Sequence, residues 1–68
     1  GDYQEAVKNY KQATSLNPNS AVFFSNLGGA YLKLKDYPNA KAAAQKALAI
    51  DPNNTDAQNT LKQAEAAS

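Results

Sequence analysis

The sequence predicts an all-α protein of four short helices packed as sequential antiparallel neighbours, and three observations carry that expectation. Apolar and small side chains recur at helical spacing in four stretches, Asn-Pro and Asp-Pro breakers interrupt them, and the chain repeats itself at a shift of 34 residues. At that shift eight positions coincide: Asp2/Asp36, Tyr3/Tyr37, Ala6/Ala40, Ala13/Ala47, Pro18/Pro52, Asn19/Asn53, Leu27/Leu61 and Ala30/Ala64. Leu16/Ile50 and Asn17/Asp51 are near matches. The shared residues mark a helix entrance, small helical positions and a Pro-containing exit, so architecture is repeated rather than composition.

The elements follow in order. Asp2 opens Asp-Tyr-Gln-Glu, an acidic N-cap with a carboxylate three residues on, the pattern of a capping box. Tyr3, Ala6, Val7, Tyr10, Ala13 and Leu16 then form one stripe, which predicts a helix over 3–16. Asn17-Pro18-Asn19-Ser20 ends it, because Pro cannot continue a helix and pushes its predecessor out of the α region. Phe23, Phe24, Leu27, Ala30, Tyr31 and Leu34 make the strongest amphipathic stripe, over 20–35. Asp36-Tyr37-Pro38 starts the next helix, with Asp36 as N-cap and Pro in the first turn, and Ala40, Ala43, Ala44, Ala47 and Ile50 continue it over 38–50. After Asp51-Pro52-Asn53-Asn54, a weaker stripe of Ala57, Leu61, Ala64 and Ala67 predicts a last helix over 55–67. Connections this short force consecutive helices to pack antiparallel.

A 34-residue helix-turn-helix period with this punctuation resembles the tetratricopeptide repeat. Residues 21–54 fit one whole repeat: Phe24 as the large anchor, then Leu27-Gly28 and Tyr31 on the first helix, Ala40 and Ala47 on the second, and Pro52 at the exit. The Gly lets the partner helix approach closely, and Ala40 does the same from the other side. Ala44 stands where the family usually carries an aromatic, which predicts a thinner, looser core around Ala40, Ala43 and Ala44. The resemblance divides the chain into residues 1–18, the second helix of a partial repeat, 19–54, a complete helix pair, and 55–68, a C-terminal capping helix. Gln58, Lys62 and Glu65 replace the aromatic, Gly and Tyr in that last segment, as a solenoid end facing water requires. The whole is an antiparallel helix-turn-helix solenoid fragment. The helix over 3–16 then lacks its usual first-helix partner, so the chain is expected to be a fragment or to take that neighbour from another copy.

Composition closes most chemistries. The 68 residues include no Cys, His, Trp or Met, with 7 Lys, no Arg, 6 acids and a net charge of +1. Without Cys and His there is no disulfide framework, no thiolate or Ser-His nucleophile, and no Cys/His metal site. The expectation is no enzyme, no catalytic residue, no metal and no cofactor. Scattered Lys without Arg or exposed aromatic platforms argue against nucleic acid. No apolar run approaches the ~20 residues of a membrane span and no signal-peptide pattern opens the chain, which points to a cytoplasmic protein.

What the resemblance implies instead is protein–protein interaction: such repeats hold an extended peptide or helix in a concave groove lined by first helices. On residues 20–35 the groove positions would be Val22, Ser25, Asn26, Gly29, Leu32 and Lys33. Asn26 matches a position where chaperone-binding members use an Asn to clamp a partner's C-terminal carboxylate. Asp56 and Thr60 occupy the matching downstream places, and Asp56 would repel a carboxylate, so this chain is not expected to form that clamp. The stretch Ser20–Asn26 with Ala30-Tyr31 and Lys33-Leu34 is also similar to small glutamine-rich co-chaperones of this family. Tyr3, Val7 and Tyr10 are the candidate residues for self-association as a homo-oligomeric scaffold, the alternative to a peptide-binding module.

Overall fold

The computed structural model describes residues 2–67 and contains four α-helices among them: α1 (Tyr3–Leu16), α2 (Ala21–Lys33), α3 (Tyr37–Ile50) and α4 (Thr55–Ala67). Each helix begins the same way, with a short polar side chain closing its first turn. The Asp2 carboxylate accepts from the Glu5 amide at 3.0 Å, and the Ser20 hydroxyl accepts from the Phe23 amide at 3.3 Å. The Asp36 carboxylate accepts from the Asn39 amide at 3.4 Å, and the Asn54 side-chain carbonyl from the Ala57 amide at 2.9 Å. The sequence places helix starts at 20 and 38; Ser20 instead serves as the cap outside α2, and Tyr37 already belongs to α3.

The end of α2 departs further from expectation. It stops at Lys33, two residues early, because Lys35 takes a left-handed conformation at φ 61°. The Asp36 amide donates to the Tyr31 carbonyl at 2.9 Å and the Lys35 amide to the Leu32 carbonyl at 3.0 Å. This is a Schellman closure with a lysine where glycine is usual.

Packing radiates from α2, which touches all three other helices, whereas α1 touches α2 alone. At the α2–α3–α4 junction Ala44, Ala47 and Ala57 are buried together, with Ala21, Phe24, Leu48 and Leu61 packed over them. The predicted loosening around the alanines does not occur. Ala40 and Ala44 are fully buried, and a Cβ placed on Gly28 would lie 3.3 Å from the Ala40 carbonyl oxygen and 3.4 Å from the Ala44 nitrogen. Small residues on both helices let the backbones close the gap that an aromatic would have filled. The consequence is a core built from alanines and Leu27, while the aromatic rings of Phe23, Phe24, Tyr31 and Tyr37 stay half-buried. Lys46 covers one of these rings, its ammonium 6.0 Å from the Phe24 centroid.

The α3–α4 turn is locked by its own polar groups. The Asp51 carboxylate accepts from the Asn53 amide at 3.1 Å, and the Gln58 side chain reaches back to donate to the Pro52 carbonyl at 2.8 Å. Gln58 stands where α2 carries Phe24, so the polar replacement anchors the last helix to its entry turn.

Candidate functional site

Because α2 and α4 are each joined to α3 by a tight turn, they run parallel and side by side. Gly28 lies level with Thr60, whose Cγ2 atom would be 3.4 Å from a Gly28 Cβ, and Leu32 and Lys33 share one hollow with Gln63 and Ala67. Between the two helices lies a groove of about 370 Å³ lined by Ser25, Asn26, Gly29, Leu32 and Lys33 from α2, and by Asp56, Asn59, Thr60 and Gln63 from α4.

Five of the six residues expected at this face line the groove, brought to one side of α2 by helical spacing. The sixth, Val22, is 60% exposed and does not line it. The structure adds Asn59 and Gln63, which the sequence pattern does not mark as groove residues. The signal for them was the 34-residue shift, which maps Ser25 onto Asn59 and Gly29 onto Gln63.

The groove is polar at its rim, and a buried hydroxyl, that of Ser25, lies at its floor. Asn26, Lys33, Asp56, Asn59 and Gln63 are exposed, while Ser25 and Thr60 are buried. Among the described residues the Ser25 hydroxyl meets no protein hydrogen-bond partner, and the residue is only 5% exposed. An amide side chain both donates and accepts, so Asn26, Asn59 and Gln63 match the alternating carbonyls and N–H groups of an extended backbone. No group of three or more His, Cys, Asp or Glu side chains is gathered among the described residues. Nor is any helix among them long and apolar enough to cross a membrane.

Adjoining the groove, and sharing Asn26, Gly29 and Lys33 with it, is a smaller cleft of about 260 Å³ lined also by Tyr3, Ala6 and Tyr10 of α1 and by Ala30. Tyr3 is 41% exposed there, and Tyr10 and Val7 are half-buried on α1. Of the three residues considered for self-association, Tyr3 and Tyr10 share this cleft and Val7 is not part of its lining.

Four helices packed as sequential antiparallel neighbours, in a chain that repeats at 34 residues, define a helical-repeat fold. The chain belongs to the tetratricopeptide repeat family: residues 21–54 match the tetratricopeptide repeat, and residues 1–35 match a second TPR repeat description. Among curated proteins it is 40% identical over 50 residues to human serine/threonine-protein phosphatase 5, covering 74% of this chain and 10% of that protein. It is 35% identical over 52 residues to small glutamine-rich tetratricopeptide repeat-containing protein 2 of Saccharomyces cerevisiae, covering 76% and 15%. It is 40% identical over 53 residues to Hsp70-Hsp90 organizing protein 3 of Arabidopsis thaliana, covering 78% and 10%. The chain therefore spans only a small part of the length of these relatives.

Proposed function

We propose that this chain is a protein–protein interaction module that holds a partner peptide or helix in the groove between α2 and α4, and that it acts within a co-chaperone-like scaffold. The observation that carries the reading is the groove itself. Five of its lining side chains are exposed and polar, its rim presents three amides, and the Ser25 hydroxyl beneath it meets no protein partner among the described residues. Similarity to an Hsp70-Hsp90 organizing protein and to small glutamine-rich tetratricopeptide proteins supports the co-chaperone setting. Docking is the whole mechanism: backbone amides of the partner pair with Asn26, Asn59 and Gln63, and no covalent chemistry follows.

Selection of a random peptide library against the chain tests this. Enriched peptides are expected to lose at least fivefold in affinity on Asn26→Ala and to keep it on Lys41→Ala, at a position outside the groove. Enriched peptides indifferent to Asn26→Ala would remove the groove from the account. The co-chaperone setting is tested separately, by whether the full-length protein retains purified Hsp70 or Hsp90. Failure to retain either would sink that part alone.

A second reading, self-association through Tyr3, Val7 and Tyr10, is favoured by the cleft between α1 and α2. Its repeat-equivalent surface, built from Tyr37, Ala40 and Ala44 of α3 with α4, is covered by α2. Sedimentation equilibrium separates the two readings: a monomer whose mass is independent of concentration excludes the scaffold. A dimer dispersed by Tyr10→Lys would support it.

A further inference from the structure

Accepting the groove as the partner site, we infer that it selects an extended peptide carrying one basic and one acidic side chain about four residues apart. Among the residues lining it, Asp56 is the single carboxylate and Lys33 the single ammonium. They stand at opposite ends. Asp56 lies in the first turn of α4 and Lys33 in the last turn of α2, and the two helices run parallel with Gly28 level with Thr60.

The separation follows from helix geometry. Lys33 is five residues beyond Gly28 and Asp56 four before Thr60, and nine residues of helix rise about 14 Å. That exceeds the Debye length of about 8 Å at physiological salt, so the two charges do not neutralise each other and each is open to a ligand group. An extended chain advancing about 3.3 Å per residue spans the distance in about four residues. Between the two charges lie Asn26, Asn59 and Gln63, placed to hold the intervening backbone.

The same pattern states what is excluded. A ligand with two carboxylates meets Asp56 at one end, and a ligand with two ammonium groups meets Lys33 at the other. Like-charge contact lowers affinity where an opposite charge would raise it, so selectivity comes from the order and spacing of charges rather than from net charge, which sums to zero for these two residues.

The test uses blocked nine-residue peptides that differ only at two sites four residues apart: Lys and Glu in either order, Glu at both, Lys at both, or Gln at both. Binding is followed by NMR through the side-chain amides of Asn26 and Asn59. One order of the Lys/Glu peptide is expected to bind at least fivefold more tightly than the Gln/Gln peptide. Asp56→Lys should transfer the preference to the Glu/Glu peptide, and Asp56→Asn should flatten it. Helicity by circular dichroism confirms that each variant stays folded. Equal binding by charged and neutral peptides, or a preference unmoved by Asp56→Lys, overturns the charge rule and leaves the groove as the site. If no peptide, charged or neutral, shifts these amides, the groove reading falls with it.

Discussion

Two clefts of this molecule are built from matching residues 34 positions apart, and one is closed while the other is open. In the closed one, α2 lies over the angle between α3 and α4, and Ala40, Ala44, Thr60 and Ala64 are buried beneath it. In the open one, α1 and α2 meet in the same way, but Tyr3, Ala6, Tyr10, Asn26 and Ala30 line a hollow of about 260 Å³ with no helix over it among the described residues. The exchanges between them are instructive. Ala44 becomes Tyr10 and Thr60 becomes Asn26, so the open cleft carries the bulkier and more polar side chains. What buries a surface here is the arrival of a third helix, and small residues are what allow it to arrive.

Gly28 is the sharpest way to break the closed cleft. Its missing Cβ would already contact backbone at 3.3 and 3.4 Å, so Gly28→Val forces α2 off α3. We expect a loss of about 3 kcal/mol from overpacking, read as a lowered urea midpoint. Survival of the midpoint would show that the close approach is not what holds the helices together.

The open cleft should respond less. Tyr10 is half-buried and faces a hollow, so Tyr10→Ala is expected to cost about 1–2 kcal/mol, below the 3–5 kcal/mol typical of a fully buried aromatic. A cost equal to that of Gly28→Val would mean that α1 is integrated as tightly as α3.

Two smaller changes should raise stability. Lys35 closes α2 at φ 61°, so Lys35→Gly relieves a strained backbone and is expected to gain about 0.5–1 kcal/mol in thermal unfolding. A Cβ at Gly29 meets nothing within 4 Å, so Gly29→Ala should add about 0.5–1 kcal/mol of helix propensity. Adjacent glycines thus carry opposite predictions. Destabilisation by Gly29→Ala would show that α2 is gripped from both sides rather than from one.

The helices were legible because their breakers and two of their caps are local: Asp2 and Asp36 each signal through a side chain that bonds three residues on, whereas the caps Ser20 and Asn54 emerge only in the structure. Five of the α2 groove residues were legible because spacing alone sets a helix face. The Lys35 turn was not, since no glycine marks it and its conformation is imposed by the carbonyls of Tyr31 and Leu32 seeking donors. The tight packing of the alanine core is not legible for a related reason. Side-chain volume counted along the sequence says nothing of how far two backbones can approach once both are lined with small residues. Likewise Asn59 and Gln63 became part of the site only through a neighbour 34 residues away.

The central claim, that the α2–α4 groove is the partner face, is tested most directly by intermolecular NOEs from a selected peptide to the isotope-labelled chain. The account predicts NOEs to the side chains of Asn26, Asn59 and Gln63 and to Gly29. NOEs confined to Tyr3, Ala6 and Tyr10, or to the outer face of α3, would contradict it.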